Sequence, residues 1–207
     1  MLDLSSFNNL QLDAVREVGN IGTGNAATAL SKLLSCAVEI AVPRADLVSI
    51  YSLSEYYGNA DNVVAAVFVR SMGEFGCSFI FIQDEQAADL MVGLLLKQQF
   101  GFIPTDLPQD VKDSALSEVG NIVLSSFLRG INSLLGVQQQ ISVPGVARDM
   151  LASILDVVVS IFGQMGEMAL FINTELRVEG VDKISGNIVM LPDPDALELL
   201  LKKLQVL

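Results

Sequence analysis

The feature that most restricts the fold of this chain is an internal repeat. The segment Glu17-Val18-Gly19-Asn20-Ile21 recurs as Glu118-Val119-Gly120-Asn121-Ile122, 101 positions later. In the same register, Val42-Pro43 recurs as Val143-Pro144. Five identical consecutive residues with outlying matches at one offset indicate a duplicated structural unit. We therefore predict a single domain over 1–207, made of one repeat at about 10–105 and a second at about 106–207.

Both repeats show the same order of predicted elements: a long helix, a strand, an irregular segment, a hairpin and a helix. The hairpin strands are β-rich runs separated by turn residues, at 63–70 with 76–82 and at 168–178 with 187–191. Helical segments follow at 84–97 and 193–204, where Asp193 is a suitable N-cap residue. The boundary between the repeats falls near 102–105.

Some segments are apolar on both faces, which predicts a sheet that is covered on both sides. The runs 79–82 and 154–159 are almost continuously apolar, and we interpret both as buried strands. The predicted fold class is therefore α+β. In it, two repeats related by a pseudo-twofold axis share a largely antiparallel sheet, with the long repeated helices packed on it.

Composition excludes several functions. The 24 acidic residues outnumber the 12 basic ones and give a net charge of −12, which disfavours nucleic acid as a partner. The absence of histidine excludes Ser-His-Asp catalysis and most zinc sites. No apolar stretch of about 18 residues and no secretion signal are present, and the two cysteines lie far apart. We expect a cytoplasmic protein without membrane insertion.

The repeated helix carries a polar row on one face. With 100° of rotation per residue, Asp13, Glu17 and Asn20 fall within about 60° of one another, opposite Val18. The second copy gives the equivalent row Ser114, Glu118, Asn121. We call these triplets row one and row two, and we expect both to point away from the core. Since a glycine precedes each asparagine, we expect it to let another molecule approach the carboxamide closely.

A different interpretation applies to the segment 22–27, which superficially matches the Gly-x-Gly-x-x-Ala pattern of dinucleotide sites. That pattern requires a strand immediately before the glycines, whereas here a helical pattern precedes them. We expect these glycines to permit close packing between helices, for example between the two repeated ones.

A carboxylate and a carboxamide, with no histidine and no basic group on the same face, cannot form a complete hydrolytic site. They can complete a partner's site, because an amide can orient water for attack on a phosphoryl group and a carboxylate can pair with a lysine. An acyl phosphate, which is intrinsically labile, suits this division of labour. A metal-dependent hydrolase is disfavoured because two carboxylates four residues apart make a poor metal site.

The spacing of both rows resembles the (Asp/Ser)-x3-Glu-x2-Asn signature of the CheC/CheX/FliY family of chemotaxis phosphatases, and within it the CheC type. The resemblance implies dephosphorylation of the response regulator CheY. Asn20 and Asn121 would orient water, while Glu17 and Glu118 would pair with the regulator's lysine. Mg²⁺ is expected on CheY and no cofactor on this chain. The roles of Asp13 and Ser114 stay open.

The same resemblance implies a second partner, the receptor deamidase CheD. The segment 146–156 resembles the region used for that contact, with Arg148, Asp149 and Ala152 as contact residues; an ordinary packing helix is the alternative. Because both motifs lie on one chain, we expect a monomer. A rival to the phosphatase is a non-catalytic adaptor that binds CheY or CheD by sequestration.

Overall fold

The structure is a computed structural model that describes residues 9–204 apart from 58, 105, 165, 180 and 182, and apart from the side chains of residues 9, 12 and 15. Its helices are Asn9–Leu34 (α1), Glu85–Phe100 (α2), Gln109–Leu135 (α3), Leu151–Phe162 (α4) and Pro194–Lys203 (α5), with a 3-10 helix at Ile50–Tyr56. Its strands are Val38–Ser49 (β1), Val63–Met72 (β2), Cys77–Asp84 (β3), Gln140–Ile141 (β4), Gly145–Met150 (β5), Met168–Val178 (β6) and Ile184–Pro192 (β7). Both predicted hairpins and the helices after them are confirmed.

The described strands form one sheet in the order β1-β6-β7-β3-β2-β4, and β5 also pairs with β2. Every pairing is antiparallel, which confirms the predicted α+β class. If β1, β2 and β3 are matched with β5, β6 and β7, the order reads the same from either edge. This agreement supports the two-repeat organisation. The pseudo-twofold axis and the domain boundaries stay predictions, and residue 105 of the predicted boundary lies outside the described residues.

Apolar side chains cover both faces of the sheet, as predicted. On one face, Phe79 and Phe81 of β3 pack into a cluster with α1, α2, α3 and α5. On the other face, Ile80 and Ile82 pack with α4 and the 3-10 helix. Alternate residues of a strand point to opposite faces, so a strand buried on both sides has to be apolar throughout. Among the described helices, none combines the length and apolar character that crossing a bilayer requires.

The prediction of a strand at 154–159 was wrong, because these residues lie in α4. Their spacing was helical: Leu151, Ile154, Leu155 and Val158 are buried, and they follow the i, i+3, i+4, i+7 pattern of one helix face. Likewise, the segment 146–156 is not one helix. It is divided between β5, which ends at Met150, and α4, which begins at Leu151.

The two long helices pack directly against each other through glycines. A Cβ atom on Gly22 of α1 would lie 2.3 Å from the Phe127 ring of α3, and one on Gly130 of α3 would lie 3.0 Å from the carbonyl oxygen of Ile21. The Phe127 ring also contacts Phe79 of the sheet, with ring centroids 5.9 Å apart. The expectation that the glycines of 22–27 permit close helix packing is confirmed for Gly22 and was wrong for Gly24, which is exposed and where an added Cβ would meet nothing within 4 Å.

The start of α2 is stabilised by a side-chain cap, which gives a first testable prediction. The Asp84 carboxylate accepts a hydrogen bond from the Ala87 backbone N–H at 2.7 Å. Replacing Asp84 by alanine should lower the free energy of unfolding by about 1 kcal/mol, because that N–H loses its acceptor. Urea denaturation of the variant would measure this change. Exposed Gln86, on the same helical turn, offers the control Gln86→Ala, and an equal loss in both variants would contradict the capping role.

Candidate active site

Row one lies on the outer face of α1. Asp13, Glu17 and Asn20 are all exposed, while Val18 and Gly22 on the opposite side are buried. Because α1 is a continuous helix of 26 residues, its 3.6-residue period places all three side chains along one stripe, about 10 Å long. The predicted orientation of row one is confirmed.

Row two lies on the outer face of α3 and is less open. Ser114 and Glu118 are exposed, Asn121 is half-buried, and the opposite residues Leu116 and Val119 are buried. The Oδ1 atom of Asn121 is inaccessible to solvent and has no hydrogen-bond partner within the described part of the chain. An unsatisfied buried acceptor is unfavourable by about 1–3 kcal/mol. The expectation that row two points away from the core is confirmed for Ser114 and Glu118 and only in part for Asn121, whose carboxamide oxygen is buried and unpaired among the described residues.

The glycines before the two asparagines face the sheet, so the expectation that they admit another molecule was wrong. Gly19 and Gly120 are both buried. A Cβ on Gly120 would lie 2.6 Å from Cβ of Val67 in β2, whereas one on Gly19 would lie 3.6 Å from Cβ of Ala45 in β1. Each glycine is one residue before its asparagine, and the rotation of 100° per residue turns it from the outer face toward the sheet. Gly120 therefore lets α3 approach the sheet closely, whereas at Gly19 the space would hold a Cβ atom.

A basic group does lie beside row one, contrary to expectation. The Arg16 Nη1 atom donates a hydrogen bond to Oδ1 of Asp13 at 3.1 Å, and both side chains are exposed. Position 117, the equivalent in the second repeat, is serine. An exposed ion pair of this kind contributes little to stability. The consequence is electrostatic. The first residue of row one, Asp13, is an acid partly neutralised by Arg16, whereas row two begins with a serine and has Glu118 as its acid.

The acidic residues of the rows do not assemble into a metal site. Within residues 9–204, apart from the gaps noted above, no group of three or more His, Cys, Asp or Glu side chains is placed to hold a metal ion. Glu17 and Glu118 each stand on their row with one carboxamide as the polar neighbour three residues later. This arrangement suits recognition of a partner's charged group and the orientation of a water molecule.

The same two segments carry the similarity to known proteins. A sequence model described as the CheC-like family matches residues 10–45 and 111–148, which contain row one and row two. The CheY-P phosphatase CheC of Bacillus subtilis (strain 168) is 34% identical over 202 residues, covering 95% of this chain and 96% of that protein. The chain belongs to the CheC-like family.

Solved structures show the same fold at lower identity. Thermotoga maritima FliY superposes with a TM-score of 0.74 at 20% identity, covering 97% of this chain and 98% of that one. A chain of the CheX–CheY–BeF3–Mg²⁺ complex from Borrelia burgdorferi superposes with a TM-score of 0.54 at 16% identity, covering 84% and 96%. These likenesses show that the CheC-like chain shares the architecture of FliY and CheX.

The three residues predicted to contact a partner are placed differently from one another in this CheC-like chain. Asp149 is exposed at the end of β5, and Ala152 is half-buried in the first turn of α4. The Arg148 side chain is only 12% exposed and its guanidinium faces carboxylates of α2 and α3. Contact of these residues with a partner stays a prediction, and of the three Asp149 is the most available for it.

The cluster around Arg148 is a feature of the site that the sequence analysis missed. Arg148 Nε donates to Oδ1 of Asp113 at 2.7 Å, and Asp113 immediately precedes Ser114 of row two. A signal was present in the repeat itself. At an offset of 101, Asp113 and Arg148 correspond to Leu12 and Leu47, so an acid and a base occur together in the second copy alone.

Proposed function

We propose that this chain is a phosphatase that accelerates hydrolysis of the aspartyl phosphate on the response regulator CheY. The observation that carries the proposal is the outward placement of two acid–amide rows on long helices whose inner faces are fixed to the sheet. The family membership supports it, because the Bacillus subtilis relative is named as a CheY-P phosphatase. The Borrelia burgdorferi neighbour is a CheX–CheY complex, which supports a regulator as the docked partner.

In this mechanism, Asn20 or Asn121 orients the attacking water. The carboxamide oxygen accepts a hydrogen bond from the water, and its amide group donates to a phosphoryl oxygen, so that the water lies in line with the bond to be broken. Asn20 is exposed and can do this as placed, whereas the Asn121 carboxamide has to rotate when the regulator docks, because its Oδ1 atom is inaccessible to solvent. Glu17 or Glu118 pairs with a lysine of the regulator and fixes the docked geometry. The aspartyl phosphate is an acyl phosphate, so alignment of a water supplies most of what hydrolysis requires.

The charge of the chain restricts the substrate. A net charge of −12 repels free phosphate esters, so an anionic substrate has to arrive with its charge compensated. A phosphorylated CheY carrying Mg²⁺ and a lysine meets this condition. The ion, on the partner, would neutralise phosphoryl oxygens, and the residues of this chain would supply orientation. We propose no cofactor for the chain itself.

We further propose that CheD regulates this activity and binds near the end of β5 and the start of α4. Asp149 is exposed there, and the outer face of α4 presents Val157 and Ile161, which are 53% and 54% exposed. An acid beside exposed apolar residues suits a protein partner. A monomeric chain acting in the cytoplasm, without nucleic acid or membrane insertion, completes the proposal.

Turnover distinguishes this phosphatase from an adaptor. Phosphorylated CheY is mixed with a small fraction of its concentration of this chain, and phosphate release is followed over time. The phosphatase releases phosphate from many CheY molecules per chain, at a rate proportional to chain concentration. An adaptor that acts by sequestration would leave the decay unchanged under these conditions and would show only stoichiometric binding. That result would overturn the proposed function.

A chelator tests the third possible function, a metal-dependent hydrolase. A metal-dependent hydrolase would cleave small phosphoesters in the absence of CheY, and a chelator would abolish that cleavage. The proposed phosphatase should leave such phosphoesters intact with or without metal, because its rows lack the ligands for a metal and rely on the regulator. Measuring small-phosphoester hydrolysis without CheY provides the control for the turnover experiment.

A further inference from the structure

One guanidinium joins three elements next to row two. Arg148 lies on β5, and its Nε atom donates to Oδ1 of Asp113 on α3 at 2.7 Å. Its terminal nitrogens lie 3.8 Å from Oε1 of Glu85 and 3.6 Å from Oδ1 of Asp89, both on α2. These two contacts are ion pairs longer than hydrogen bonds, and Nη2 has no hydrogen-bond partner among the described residues. With a side chain only 12% exposed, Arg148 is held inside this cluster. Ion pairs shielded from water are weakened less by dissolved salt than exposed ones.

Asp113, which accepts the 2.7 Å hydrogen bond from Arg148, is placed to influence row two. Asp113 is the residue before Ser114, and its Oδ1 atom also accepts a hydrogen bond from Nε2 of Gln109 at 2.9 Å. Next to it, Nζ of Lys112 donates to Oδ2 of Asp89 at 2.8 Å and adds a second connection between α3 and α2. Asn121 lies two helical turns farther along, about 12 Å away along the axis of a continuous helix. A shift of α3 at Asp113 is therefore transmitted to the carboxamide.

The positions equivalent to Asp113 and Arg148 in the first repeat carry no charge. These positions, 12 and 47, are leucines, and Leu47 is buried in the core. The ion pair of row one joins Asp13 to Arg16 on the same helix, which ties α1 to no other element. The two rows have the same Glu-x2-Asn chemistry and differ in how their helices are held.

We propose that Arg148 is a positioning residue for row two. By joining β5 and α2 to Asp113, it sets the position of Glu118 and Asn121 relative to a regulator docked on α3. This inference rests on the proposed function, since it concerns how one of the two proposed sites is held. Displacements of about 1 Å in a catalytic geometry change rates by up to about 10²-fold, so the support of the row controls its rate.

Replacing Arg148 by leucine in two backgrounds tests the proposal without CheD present. In the Asn20→Ala background, which leaves row two active, Arg148→Leu should lower kcat/KM for CheY-phosphate hydrolysis by about tenfold. In the Asn121→Ala background, which leaves row one active, the same substitution should leave kcat/KM unchanged. This selectivity separates positioning from general stability, because a loss of folded protein lowers both activities equally.

Two further variants keep the test sharp if the leucine variant folds poorly. Arg148→Lys retains one charged contact and should recover part of the lost activity in the Asn20→Ala background, although an ammonium cannot reach three carboxylates as a guanidinium does. Asp113→Asn should reproduce the loss, and combining it with Arg148→Leu should add little, because both remove the same contact.

The possible results distinguish a failure of the Arg148 proposal from a failure of the proposed function. Equal losses in both backgrounds, or no loss in either, would overturn the positioning role of Arg148. If the variant lacking both asparagines still hydrolyses CheY phosphate at the full rate, the proposed mechanism itself fails, whatever Arg148 does. Thermal unfolding of each variant, measured alongside, gives the folded fraction by which every activity is normalised.

Discussion

Replacing Asn20 and Asn121 together by alanine should abolish the acceleration of CheY-phosphate decay. Each carboxamide is proposed to orient the attacking water, and losing such a group lowers the rate by about 10²-fold, or about 2.7 kcal/mol of activation free energy. The fold should be retained, because Asn20 is exposed and Asn121 is half-buried on the outer faces of their helices. The decay of radiolabelled CheY phosphate measures the effect directly.

The same helix provides a matched control. Asn25 is exposed on α1 but lies off row one, and its amide donates to the carbonyl oxygen of Ile21 at 2.9 Å. Asn25→Ala should leave the decay rate unchanged. Each single variant, Asn20→Ala or Asn121→Ala, should retain partial activity if both rows work. Decay that stays accelerated in the double variant would remove the catalytic assignment of both asparagines.

The glycines beneath the rows should respond unequally to alanine. In Gly120→Ala, the new Cβ would lie 2.6 Å from Cβ of Val67, closer than such atoms approach, so α3 or β2 has to move. We expect this overpacking to lower the free energy of unfolding by about 1–3 kcal/mol. In Gly19→Ala, the nearest atom lies at 3.6 Å, an ordinary contact. Because alanine favours helix over glycine, Gly19→Ala should keep the stability or raise it by up to about 1 kcal/mol.

Urea denaturation followed by far-UV circular dichroism measures both variants. The midpoint should fall for Gly120→Ala and stay or rise for Gly19→Ala, with an unchanged dependence of free energy on urea. Equal destabilisation of the two variants would contradict the packing difference between α1 and α3. Since Gly120 precedes Asn121, the same variant should also lower the activity of row two in the Asn20→Ala background.

The positions of the two rows were predictable from the sequence because the same Glu-x2-Asn spacing occurs in both repeats. A single Glu and Asn three residues apart would have been compatible with any exposed helix. Their recurrence, opposite apolar residues such as Val18 and Val119, fixed both the helix face and its orientation. A sheet strand such as β3 was equally clear, because its central run 79–82 is apolar and turn residues precede it.

Other features depended on tertiary contacts that no local pattern encodes. The run 154–159 was short, apolar and rich in valine, and periodicity over so few residues does not separate a buried helix from a buried strand. The role of Gly120 depends on Val67, far away in the sequence and reached only when α3 packs on the sheet. Arg148 was predicted to be a partner contact from the family resemblance of its segment, and its ion pairs could not be predicted because the carboxylates come from two other helices.

The pairing of strands between the two repeats has a consequence for how the protein unfolds. Strand β1 of the first repeat pairs with β6, β3 pairs with β7, and β5 of the second repeat pairs with β2, so each repeat contributes an outer strand beside the hairpin of the other. Each repeat keeps its own hairpin, β2–β3 or β6–β7, but β1 loses β6, β3 loses β7 and β5 loses β2 once the other repeat unfolds. Unfolding should therefore disrupt row one and row two together. The backbone amide protons of the strands covered by α1 and α3 should exchange with solvent through one shared global opening.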